Sequence, residues 1–138
     1  MTLLSIKDLH LSIHGTKILN GLSLSVEAGQ IVGVIGESGS GKSMTAYCAT
    51  QLLPTGSHTR GEITLDGTNI LAASEKTMCA LRGNDISMVF QEPTTALNPV
   101  QTIGKQVAET ILIHEPRTSK ADAMERATEA RKRVELPN

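Results

Sequence analysis

The stretch "IVGVIGESGSGKS", residues 31–43, joins an unbroken apolar run to eight residues with almost nothing to pack. The run "IVGVI" (31–35) is short, continuous and rich in β-branched residues, which predicts a strand buried on both faces. The segment "GESGSGKS" (36–43) fits G-x-x-x-x-G-K-[ST], the phosphate-binding loop. Its glycines Gly36, Gly39 and Gly41 let the backbone turn with positive φ and approach a ligand closely. Successive N–H groups from Glu37, Ser38, Ser40 and their neighbours then converge on phosphate oxygens, and the start of the following helix adds a favourable dipole. Lys42 is placed to reach the β- and γ-phosphates and Ser43 to ligate Mg²⁺. The Glu37 side chain belongs in solvent, because only its backbone need face an anion. A flexible serine-glycine linker is the competing reading. It explains neither the apolar run before the loop nor the helical pattern after it.

Outward from the loop, Leu9, Leu11 and Ile13 alternate with polar residues, as do Leu22, Leu24 and Val26, and both segments read as half-buried strands. "EAGQ" (27–30) is a turn, and 42–53 reads as a helix ending before Pro54. "GSHTRG" (56–61) reads as a loop and "EITLDG" (62–67) as a strand entering an Asp-Gly turn. A short helix at 75–82, a second buried strand "ISMVF" (86–90), an ordered loop or broken turn "QEPTTALNPV" (91–100) and a helix at 102–113 follow. A last helix begins at Ser119, with Asp122 three residues on as in a capping box. Its apolar stripe, Ala123, Ala127, Ala130 and Val134, is narrow, so this helix is expected to lean on something outside the chain.

Composition limits the function classes. Thirteen basic and fourteen acidic residues give a net charge of −1, which opposes a nucleic-acid partner, and Tyr47 and Phe90 are the only aromatic residues, too few for base stacking. Cys48 and Cys79 form no C-x-x-C, which argues against a disulfide framework or zinc site and suits a reducing cytosol. The N-terminus has no basic n-region before an apolar core, and no apolar run approaches 18 residues, so neither a signal peptide nor a membrane span is expected.

Two further stretches narrow the family: "LRGNDISMVFQEP" (81–93), with a glutamine directly after an apolar run, and "TALNPVQTIGKQVAET" (95–110). Together with "LSIHGTKILNGLSLSVEAGQIVGVIGESGSGKS" (11–43) they resemble the ATP-binding subunits of ABC transporters, and most closely the branch that imports dipeptides, oligopeptides or nickel. The resemblance implies an α/β fold, a P-loop NTPase core with an antiparallel β region, incomplete at its C-terminal side. Residues 1–138 would be the N-terminal portion of one ATP-binding domain, with core and Q-loop in 1–100 and the start of a helical subdomain in 101–138.

The resemblance further implies that Gly36–Ser43 is the Walker A loop and that Gln91 is the Q-loop glutamine, which reaches Mg²⁺ and the attacking water and senses the membrane subunits. Read from the residues alone, Gln91 is a polar residue ending a strand. His14 falls near the position where the family stacks an aromatic ring on adenine; a turn histidine before Gly15 is the other reading. The cofactors implied are ATP and Mg²⁺. The partners implied are a second ATP-binding subunit, identical or different, the transmembrane permease subunits and, indirectly, an external solute-binding protein. The place implied is the cytoplasmic face of the cell membrane.

The family's serine-glycine signature, its Asp and Glu ending an apolar strand and its switch histidine do not occur in these residues, and Glu135 stands where a glycine is expected in a "VGLP"-like turn. Two functions therefore stand side by side: the N-terminal half of an importer ATPase, or a truncated nucleotide-binding module without turnover. The chain alone is expected to be poorly stable and to hydrolyse ATP negligibly. Another P-loop NTPase, a kinase or GTPase, leaves "FQEP…ALNP" unexplained and would want an N-K-x-D stretch that is missing.

Overall fold

The computed structural model describes residues 1–136; Pro137 and Asn138, the end of the "VELP" turn and of the 101–138 segment, lie outside the described residues. The chain divides into two compact units, Met1–Arg82 and a second beginning at Gly83.

The first unit is built on one antiparallel sheet of order β2-β1-β3-β4, with β1 at Thr2–Ile13, β2 at Thr16–Glu27, β3 at Ser57–Leu65 and β4 at Thr68–Asn69. His14 and Gly15, both at positive φ, form the two-residue turn that joins β1 to β2, the geometry that matches the twist of a hairpin. Between Ile6 and Leu9, β1 carries one more residue than either neighbour: Ile6 faces Leu24 and Ile63, while Leu9 faces Leu22 and His10 faces Arg60. Asp8, at φ 46, takes up the extra residue. The bulge keeps Ile6, Leu9 and Leu11 on one buried face although their spacing breaks alternation. That face makes the core of the unit with Leu19, Ile63, Leu65, Ile70, Met78 and, from helix α1 (Lys42–Thr50), Cys48 and Ala49. Helix α2 (Glu75–Leu81) is opened by the Ser74 side chain, which accepts from the Thr77 N–H.

In the second unit, α3 (Pro93–Ala96) is a single turn, and α4 (Ile103–His114) and α5 (Lys120–Arg133) pack on each other. Thr102 and Ser119 cap the two long helices through their side-chain oxygens, so the Ser119–Asp122 start is as expected. Ala123 and Ala127 are fully buried against Val107, Ala108, Ile111 and Leu112.

Several expectations are corrected. "IVGVI" is not a buried strand: residues 31–35 pair with nothing, and Ile31 and Ile35 are 98 % and 99 % exposed. "ISMVF" is not one either: beyond an isolated bridge at Ile86 it carries no strand, and Val89 is 98 % exposed. The reason is shared. A parallel strand is stabilised only by neighbours on both sides, and the sole sheet among the described residues already pairs its four strands with one another, antiparallel. "GSHTRG" is not a loop, because register with β1 carries β3 back to Ser57. The first helix stops at Thr50, three residues early, where Gln51 turns left-handed at φ 51. Helix α5 leans on α4 within the chain: alanines allow the two backbones close approach, which a narrow stripe needs.

Candidate functional site

The loop 36–43 is a tight structure that its own lysine closes. Lys42 Nζ donates to the carbonyl oxygens of Gly36 at 2.6 Å and Glu37 at 2.7 Å and to Ser40 Oγ at 3.2 Å. The Ser40 N–H donates to the Glu37 carbonyl at 3.1 Å. The ammonium therefore sits inside the arc of backbone that it would share with a phosphate.

Two glycines have steric reasons to be there. A Cβ on Gly36 would stand 2.5 Å from Ser40 Oγ. Gly41, at φ 93, would place one 2.6 Å from Leu19 Cδ2, so the end of the loop rests directly on β2. Gly41 also serves as N-cap of α1 without any side-chain hydrogen bond, and the first turn contains no acidic residue. The leading N–H groups of the helix are thus left for another acceptor, and the positive end of its dipole faces the loop. Glu37 is exposed and Ser43 reaches the surface, as the phosphate reading requires. A phosphate fits this donor set. A bound Mg²⁺ would be held on the protein side by Ser43, and it would shield the charge of the phosphates.

The other end of α1 is held by a residue that sequence reasoning missed. Arg82 Nε donates to the Thr50 carbonyl at 2.7 Å and Nη2 to the Gln51 carbonyl at 3.1 Å, while Nη1 meets Glu75 Oε1 at 2.6 Å. A guanidinium at a helix C-terminus satisfies carbonyls that the helix cannot. No local pattern announces it, because its acceptors lie about thirty residues upstream. Leu19, the floor beneath Gly41, was missed for the same reason.

The remaining predicted residues are placed elsewhere. His14 is exposed in the β1–β2 turn; its N–H donates to the Gly56 carbonyl at 3.0 Å and its imidazole lies over Gly56, which has no Cβ to obstruct it. Gln91 belongs to the second unit and is exposed just before α3. The structure thus gathers 36–43 into one site, while His14 and Gln91 occupy separate turns. Among the described residues no helix is long and apolar enough to cross a membrane.

Comparison with known proteins adds the family context. The ABC transporter family profile matches residues 19–138. The chain is 42 % identical to a probable peptide ABC transporter ATP-binding protein, y4tR, of Sinorhizobium fredii, over 97 % of this chain and 42 % of the relative. It is 44 % identical to the probable D,D-dipeptide transport ATP-binding protein DdpD of Escherichia coli, over 98 % of this chain and 43 % of the relative. The dipeptide transport ATP-binding protein DppD of Lactococcus lactis is 41 % identical, over 98 % and 40 %. The chain spans about two fifths of the length of these curated relatives. Among solved structures, the ATP-binding cassette MJ0796, in a dimeric post-hydrolysis state bound to ADP and Pi, superposes with a TM-score of 0.78 at 23 % identity, covering 98 % of this chain and 58 % of that one. That likeness is one of fold.

Proposed function

The chain belongs to the ABC transporter family, and from that premise we propose that it is the N-terminal part of the ATP-binding subunit of a peptide-type importer. The observation that carries the reading is the loop: glycines where a Cβ would collide, an uncapped helix start, and Lys42 in the middle. Residues 36–43 bind the phosphates of ATP, with Lys42 on the β- and γ-phosphates and Ser43 toward Mg²⁺. Gln91 is assigned to the metal and attacking water and to contact with permease subunits, and His14 to adenine. Residues 1–100 then hold the nucleotide core and Q-loop, and 101–138 begin the helical subdomain.

Phosphoryl transfer is chiefly positioning and charge stabilisation. The subunit would work as a dimer on the cytoplasmic face of the membrane, beside permeases served by an external solute-binding protein. These 138 residues bring the phosphate loop and neither the signature nor the carboxylate pair, so alone they bind nucleotide without turnover. The relatives' names support peptides as the cargo class.

The test is equilibrium binding of MgATP by the chain and by Lys42→Ala, with phosphate release followed in parallel. We expect binding that weakens about a hundredfold in the variant, because a charge-assisted contact to phosphate is lost, and no turnover in either. Equal affinity of the two proteins refutes the site. Turnover that disappears with Lys42→Ala refutes the claim of binding alone.

A further inference from the structure

On the solvent face of the antiparallel sheet, opposite the core, two cross-strand rows lie side by side. Asn20, His10 and Arg60 face one another across β2, β1 and β3, and Lys17, Ser12 and His58 do the same in the next row. Together with Leu11, Leu19 and Thr59, which lie between the two rows, these six residues line a concavity of about 400 Å³. Directly opposed side chains on an antiparallel pair come within roughly 5 Å at Cβ, and like charges there repel. Here a lysine, an arginine and two imidazoles share one small surface. His10 is bonded to Asp8 at 3.0 Å, and Glu62, opposite Lys7, stands further along β3. Among the described residues no carboxylate comes within ion-pairing distance of Lys17, His58 or Arg60.

We propose that this concavity binds a small soluble phosphate-bearing anion, at a site built from none of the residues of the 36–43 loop. Arg60 presents a planar fork that matches two phosphate oxygens, Lys17 adds a point charge from the other edge, and both imidazoles offer N–H donors between them. The volume suits a small molecule. A nucleic-acid strand is opposed by the net charge of −1 and the scarcity of aromatic residues. A bilayer is opposed by the concave form, and the two leucines of its lining, Leu11 and Leu19, are buried and offer no interfacial anchor.

The experiment is calorimetric titration of the chain with inorganic pyrophosphate. The parent is expected to show two sites, and Lys42→Ala to keep the one on the sheet. Adding Lys17→Ala and Arg60→Ala should weaken that remaining site at least about tenfold, whereas Arg60→Lys should retain most of it. Both side chains are exposed, and Lys17→Gln with Arg60→Gln provides a second pair should the alanine pair fail to fold. The proposal is overturned if Lys42→Ala binds no pyrophosphate, or if its binding ignores Lys17 and Arg60. It is also overturned if those two residues govern only co-sedimentation with anionic phospholipid vesicles while pyrophosphate does not bind. A parent that shows only the site governed by Lys17 and Arg60, with binding unaffected by Lys42→Ala, would count against the nucleotide loop and leave this one standing.

Discussion

Three glycines near the loop offer a graded test of how its geometry is set. Gly33 is at neither a positive φ nor a close contact, so Gly33→Ala should change nothing measurable. Gly39 stands at φ 82 with open space where a Cβ would go, so Gly39→Ala costs only backbone strain, about 1–2 kcal/mol. Gly41→Ala incurs the same strain at φ 93 and also drives a methyl to 2.6 Å from Leu19 Cδ2. Leu19 is 7 % exposed and has little room to retreat, and overpacking of that kind costs about 1–3 kcal/mol. The sum is about 2–5 kcal/mol, or from about thirtyfold to several thousandfold in an equilibrium constant. If the loop keeps its form, the cost falls on folding; if it relaxes, the cost falls on phosphate affinity. Both must be read, by urea denaturation and by pyrophosphate titration on each variant. Gly41→Ala with an unchanged midpoint and unchanged affinity would refute the steric account, as would equal losses at Gly39 and Gly41.

Other expectations follow from the same packing. Arg82→Met leaves the Thr50 and Gln51 carbonyls without their guanidinium and should destabilise the first unit by about 2–4 kcal/mol in denaturation. Glu75→Gln, which disturbs only the exposed arm of that arrangement, should cost far less. Glu135, at φ 58, follows α5 in a left-handed conformation, with the Leu136 N–H returning to the Arg131 carbonyl. Glu135→Gly should therefore stabilise by about 1 kcal/mol in thermal unfolding. Hydrogen bonds from Arg126 hold the Glu115 carboxyl below its ordinary value of 4.5. A depressed carboxyl contributes stability that is present above the unfolded value and is lost as pH falls through the folded one. Parent and Arg126→Gln should thus differ at neutral pH and converge once Glu115 is protonated, with salt narrowing the gap.

Several elements could be read locally, although the left-handed end of α1 at Gln51 could not. Alternation gave β1 and β2, Ser119 gave the start of α5, and the spacing of Gly36, Gly41, Lys42 and Ser43 gave the loop. Glu135 could be flagged as out of place, and it occupies a conformation that glycine tolerates best. What failed depends on partners distant in sequence. An apolar run such as 31–35 states what a segment would bury, and only the pairing of other strands decides whether it can. Residues 57–61 look like a loop until β1 recruits them. The bulge at Asp8 is invisible beforehand, because an extra residue is defined only against two neighbouring strands. The same holds for Arg82, whose acceptors become neighbours only after α1 and α2 have packed.

The exposed run at residues 31–35 also bears on how the protein fares during synthesis. The β1–β2 hairpin closes over a two-residue turn, so it can form while the rest is still emerging from the ribosome. The run follows immediately, β-branched and uncharged, with both edges open. Such a segment nucleates association between chains and attracts holdase chaperones. Yield in a cell should accordingly track chaperone supply and expression rate more closely than the quality of the sheet beside it.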